Sequence, residues 1–126
     1  MREMITSLFS NEVLLTAVIS MFITQVIKII YYFILEKKFN WYHVFEAGGM
    51  PSSHSALVCS LTLMIGLSEG FDSVLFAAVA VFAAIVMYDA MKVRAEEVGH
   101  TLVEVSTGGI LGVIISLVLY LNFFRG

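Results

Sequence analysis

Four apolar stretches separated by short polar intervals set the layout of this chain. The first runs from about Glu12 to Leu35, entered through Ser10 or Asn11, either of which suits a helix cap, and closed by Glu36-Lys37-Lys38. The second begins at Pro51 or Ser52 and ends near Leu67, where Ser68-Glu69-Gly70 supplies a helix stop. The third covers roughly Phe71 to Met91, and the fourth starts near His100 and continues to about Phe124. Runs of about 18 or more residues with almost no charge read as membrane-spanning helices, because about 20 residues at helical rise cross the hydrocarbon core. The second run is short, so its polar N-terminus is expected to lie below the membrane surface. Met1 to Phe9 is apolar on one side and carries Arg2 and Glu3 on the other, which fits a short interfacial helix. The expected architecture is all-α: a polytopic bundle of four transmembrane helices with a short N-terminal interfacial helix, forming one integral membrane domain over residues 1–126.

Composition agrees with that layout. Of 126 residues, 60% are apolar, 13% are charged and one is proline, with a mean hydropathy of +0.94. A soluble domain of this size has no use for so much apolar surface. Membrane lipids are therefore the expected surroundings, and nucleic acid is not an expected partner. A cleaved leader is not expected, since its removal would destroy the first span. The single cysteine, Cys59, lies within the second run, has no internal disulfide partner and reads as a packing residue. With four spans, Lys37, Lys38, Lys92 and Arg94 fall on one side of the membrane, and Arg2 and Arg125 on the other. The positive-inside rule places the first side in the cytoplasm.

That side also collects the chemistry. Gly48-Gly49-Met50-Pro51-Ser52-Ser53-His54-Ser55 is a polar island between two apolar runs. Its glycines, Gly49 among them, let backbone approach closely, and Pro51 suits the first position of a helix. Two hydroxyls and the first free N–H groups then face whatever lies above the helix N-terminus, a natural oxyanion cradle. His54, one turn in, is able to donate a proton there. The end of the third run adds Asp89 and Arg94, and the start of the fourth adds His100 and Glu104. Gln25 and Lys28 lie inside the first run, Lys28 on the order of 10 Å from its cytoplasmic end. Each has a plain structural reading: Lys28 snorkels, Asp89 solvates a helix end or pairs with Lys28, and His100 with Glu104 forms an i, i+4 helix pair. Two histidines, a carboxylate and two cations at one level in lipid are costly, and that cost points to function. Lys28 and Arg94 would repel a metal and attract an anion, so the reading calls for no metal and no cofactor.

With these residues the chain resembles the type-2 phosphatidic acid phosphatase and vanadium haloperoxidase superfamily, and more narrowly its divergent small membrane branch. The superfamily's second motif, Pro-Ser-Gly-His, is matched by Pro51, Ser52, Ser53 in the glycine position, and His54. Its third motif is Arg, five residues, His, three residues, Asp; Arg94, His100 and Glu104 have that spacing, with glutamate for aspartate. Of the first motif, Lys, six residues, Arg-Pro, only Lys28 is present, since Leu35 stands where arginine would. Val93 occupies the position before Arg94, where the superfamily usually has serine. The branch's Tyr-Asp-Ala and Gly-His-Thr segments appear as Tyr88-Asp89-Ala90 and Gly99-His100-Thr101, with a shorter connection between them.

The resemblance implies a lipid phosphate phosphatase acting on a phosphomonoester or diphosphate of a phospholipid or polyprenyl lipid. His100 would attack phosphorus, Glu104 would fix its tautomer and His54 would protonate the departing alkoxide. Lys28, Arg94, Ser52 and Ser53 would hold the phosphoryl oxygens, with Asp89, Gln25 and Gly49 as site support. An alternative from another class uses the same groups without chemistry: a membrane anion or lipid-phosphate binding or transport subunit. In the fourth run, His100, Glu104, Gly108, Gly112 and Ser116 recur every four residues, a small-residue strip suited to close packing within one subunit or between two. The thin shell that four helices make favours a homo-oligomer.

Overall fold

The computed structural model describes residues 1–45, 49–95 and 101–125. Six α-helices follow one another: α1 (Arg2–Phe9), α2 (Glu12–Glu36), α3 (Tyr42–Phe45), α4 (Ser53–Glu69), α5 (Val74–Ala95) and α6 (Thr101–Leu119). The last continues into a π-helical turn, Tyr120–Phe124. Local chemistry explains the boundaries. Asn11 caps α2 by accepting the Leu14 N–H at 3.0 Å, and Lys37 ends it in the left-handed region at φ 57°. Gly70, at φ 99°, closes α4, and its N–H reaches the Gly66 carbonyl at 3.0 Å. The third apolar run becomes helical only at Val74 because Ser73 acts as its cap, its Oγ accepting the Phe76 N–H at 3.1 Å. Phe71 folds back over Gly66, whose missing side chain makes the room.

Among the described residues the interior is rich in polar side chains and the surface in apolar ones. The largest fully buried side chains are Lys28, Thr16, Thr24, Ser20, Ser55, Ser60 and Ser116, while Phe22, Val26, Ile30, Phe33 and Ile34 point outward. In water this arrangement would waste the hydrophobic effect. In lipid it is the stable one, because apolar side chains gain nothing by leaving hydrocarbon and polar ones do. Among the described residues, three helical segments are long and apolar enough to cross a membrane: Glu12–Glu36, Val74–Met91 and Leu102–Phe124. This is an all-α, polytopic, integral membrane protein.

At 17 residues, α4 is shorter than those three, about 25 Å at helical rise. It is packed against α2, α5 and α6, so most of its surface meets protein and not lipid. The helices lock together through small and hydroxyl residues. A side chain at Gly108 would overlap the Ser52 carbonyl oxygen, and one at Gly112 the Ala56 carbonyl oxygen, so α6 lies directly against the α4 backbone. The strip Glu104, Gly108, Gly112, Ser116 is therefore spent within the chain. Near the membrane centre, Ser20 of α2, Ser60 of α4 and Ser116 of α6 join by their hydroxyls, and Ser116 also donates to the Gly112 carbonyl at 2.6 Å. With one hydrogen per hydroxyl, the consistent order is Ser20 to Ser60 to Ser116 to Gly112. Along α2, Thr16, Ser20, Thr24 and Lys28 follow at four-residue intervals, all fully buried, so one face of the helix is a hydroxyl seam ending in a cation.

Candidate functional site

The island ends in a cap different from the one its proline suggests. Pro51 precedes the helix instead of opening it; Ser52 is the N-cap and Ser53 the first helical residue. The Ser52 Oγ accepts the Ser55 N–H at 3.3 Å and its carbonyl accepts the Ala56 N–H at 3.2 Å. Its own N–H donates to the Glu104 carbonyl at 3.1 Å, which ties the island to the first turn of α6. Capping thus occupies the Ser52 hydroxyl. Among the described residues the N–H groups of Ser53 and His54 have no partner, and they point out of the helix end together with its dipole. The buried Ser55 Oγ also has none.

Lys28 comes to this point from α2. Its side chain is fully buried, and a Cβ built on Gly49 would stand 3.2 Å from Lys28 Cδ and 3.1 Å from Tyr32 Oη. The loop therefore lies flat on the lysine stem. Gly49 adopts φ +100°, a conformation other L-residues rarely take, so both space and backbone demand glycine here. The Tyr32 hydroxyl accepts the Met50 N–H at 3.0 Å and pins the loop a second time.

Tyr32 belongs to a bracket that sequence reasoning missed. Its ring stacks on His43, centroids 4.1 Å apart and planes within 6°. His43 Nε2 meets Glu36 Oε1 at 3.0 Å, and Gln25 Nε2 donates to the carbonyls of His43 at 3.1 Å and Val44 at 2.9 Å. Gln25 thus holds α3 against α2, and its amide is turned to that work instead of to a phosphate. The available signal was the spacing of Gln25, Lys28, Tyr32 and Glu36, which places them along one face of α2. In the same segment Trp41 and Tyr42 are exposed, as befits an interfacial anchor. Tyr32→Phe, which removes the acceptor of the Met50 N–H, is expected to cost about 0.5–1.5 kcal/mol in thermal unfolding. Phosphate affinity is expected to weaken with it, as read by titration.

The remaining expected residues divide clearly. Lys28, Gly49, Ser52, Ser53 and Glu104 are gathered around the N-terminus of α4 by the contacts above. His54 sits in the first turn of α4 with its side chain exposed. Asp89 is exposed on α5 and forms no ion pair with Lys28 among the described residues. Arg94 lies in the last turn of α5, its side chain outside the described part, and His100 lies outside the described residues altogether.

The fold defines the class first: an all-α, multi-pass membrane protein. Within it, this chain belongs to the Divergent PAP2 family, whose model matches residues 9–97. That match takes in Lys28, the island and Arg94, and stops before His100 and Glu104. The chain is also similar to an uncharacterized membrane protein, YuiD, of Bacillus subtilis (strain 168), with 46% identity over 87 residues. Those residues are 69% of this chain and 55% of the relative, so the match spans about half of the relative's length. No solved structure matches the chain.

Proposed function

We propose that this chain is a membrane-embedded, metal-independent phosphatase that hydrolyses a phosphomonoester or diphosphate of a phospholipid or polyprenyl lipid. The observation that carries the reading is the meeting of fully buried Lys28, the Gly49 loop and the Ser53 and His54 N–H groups, unpartnered among the described residues, around the N-terminus of α4. Such a set is built for a multiply charged oxyanion: a fixed cation beside a helix N-terminus in a medium of low dielectric. The protein is then a four-helix transmembrane bundle with α4 as its short central span, its cradle on the cytoplasmic side. A homo-oligomer remains part of the proposal.

In the reaction, a nitrogen of His100 attacks phosphorus and the ester oxygen leaves, taking a proton from His54. Glu104 accepts the other ring N–H of His100 and fixes the tautomer. Water then attacks the phosphohistidine, giving a proton to His54, and the P–N bond breaks to release inorganic phosphate and return both histidines. Lys28, Arg94 and the α4 N-terminus stabilise charge on the equatorial oxygens, with Ser52 in the positioning role its cap bond supports. Ser53 supplies a backbone donor in place of the superfamily's glycine.

Purified protein is expected to release phosphate from a lipid phosphate in the presence of chelator. His54→Ala is expected to impair release from an alkyl ester more than from an activated aryl phosphate, because only the alkoxide needs a proton to depart. Equal losses on both would remove His54 from the acid role. The non-enzymatic reading has an observation of its own, since the family match stops short of His100. Binding of the lipid phosphates in a broad panel, with hydrolysis of none, would establish it in place of the enzyme.

A further inference from the structure

A furrow runs down the side of the bundle between α5 and α6, floored by α4. Its upper part is lined by Val105, Ser106, Gly109 and Ile110, its lower part by Leu63, Phe71, Phe76 and Ala80, and the two adjoin at Cys59, Met87 and Val113. The wall is almost wholly apolar. Thr62, the one threonine on it, turns its hydroxyl back to the Val58 carbonyl at 2.7 Å. At its upper end the furrow begins at Val105, next to Glu104, whose carbonyl holds the Ser52 N–H. On α4 its lining begins at Cys59, about two turns below the N-cap Ser52 and about 10 Å from it at helical rise, and from there it descends toward the Gly70 turn.

Gly109 has a different place from Gly108 and Gly112. Those two admit the α4 backbone, whereas a Cβ at Gly109 would meet only Cys59 Sγ, at 3.1 Å. Its missing side chain leaves room at the waist of the furrow. There the Cys59 thiol lies 3.6 Å from Met87 Sδ, and methionine is the side chain best able to adapt to a flexible occupant.

We infer that this furrow seats an acyl or prenyl chain of the phosphate-bearing substrate, and that Cys59, Met87 and Gly109 set which chains fit. The inference rests on the phosphatase reading and adds how the lipid is chosen. A lipid whose phosphate sits at the N-terminus of α4 must send its chain toward the membrane centre, and the furrow is an apolar groove that opens about two turns below that point and runs in that direction. The donors around Lys28 grip phosphate alone, so discrimination among lipids falls to this wall. Pockets of this kind discriminate by fit: one methylene changes the preference by roughly 10–200-fold.

The test compares a long-chain phosphatidic acid with a short-chain, water-soluble one. Cys59→Trp, which fills the waist, is expected to lower the ratio of kcat/KM for long over short chains by about tenfold or more. Gly109→Ala is expected to lower it in the same direction by less. A ratio unchanged in both variants would overturn the inference and leave the phosphatase reading standing. Should either variant fail to fold, the wild-type protein decides through its single thiol. Long-chain phosphatidic acid is expected to slow maleimide labelling of Cys59, and neither inorganic phosphate nor diacylglycerol of the same chains is expected to do so. Equal protection by diacylglycerol would reduce the furrow to a surface covered by bulk lipid and overturn the proposal. Protection by phosphatidic acid without phosphate release from it would remove the catalytic reading and keep the furrow.

Discussion

Lys28→Met is expected to lower turnover of a lipid phosphate by roughly 10²–10³-fold, the usual loss when one preorganised oxyanion partner is removed. Methionine keeps the unbranched stem on which the Gly49 loop rests and deletes the ammonium group. The loop, its Tyr32 bond and the α4 cap then persist, so helix content and the thermal transition in detergent are expected to change little. Phosphate binding is expected to fall by less than turnover, because only the part of the cation's pull that is stronger in the transition state lowers kcat. A charged side chain in hydrocarbon is costly, and its complete burial concentrates its field on the loop it touches. Wild-type turnover in Lys28→Met would take the oxyanion site away from this helix end.

Gly108→Val is expected to have the largest effect on stability. The new Cβ would fall within the Ser52 carbonyl, which is backbone and fixed by α4 itself. No rotamer relieves that overlap, so α6 has to withdraw from α4. Overpacking of this kind costs about 1–3 kcal/mol in a relaxing core. Here it also opens the bond between Ser52 N–H and the Glu104 carbonyl, which joins the cap of α4 to the helix carrying Glu104. The thermal transition is expected to drop and turnover to be lost together. Gly109→Ala, one residue on, is expected to leave the transition nearly in place, because only a side-chain sulfur stands in its way. Equal destabilisation by both would mean that α6 does not bear on α4 through Gly108.

The difference between those adjacent glycines shows what the chain discloses by itself. Hydropathy alone delimits the apolar helices to within a few residues, because Asn11, the Glu36-Lys37-Lys38 end and Gly70 are local signals that need no tertiary partner. The island was legible for the same reason. Its cap was not, since Pro51 and Ser52 both suit a helix start and the choice depends on where the loop rests. The strip from Glu104 to Ser116 was visible as a spacing, but which surface it meets is decided by α4. The bracket of Tyr32 with His43 and Glu36 escaped notice because Tyr32, an aromatic residue in an apolar run, reads as lipid-facing, and only folding turns it toward the Met50 N–H. The hydroxyl seam of Thr16, Ser20 and Thr24 was hidden in the same way, serine and threonine being too weakly polar to interrupt the apolar run.

The central claim is that the cradle at α4 leads to chemistry on His100. Its most direct test is to incubate wild-type protein with a lipid carrying labelled phosphate, quench, and map the labelled residue, with His100→Ala in parallel. Phosphate is expected on His100 in the wild type, with neither label nor phosphate release in His100→Ala. Undiminished release by His100→Ala would contradict it.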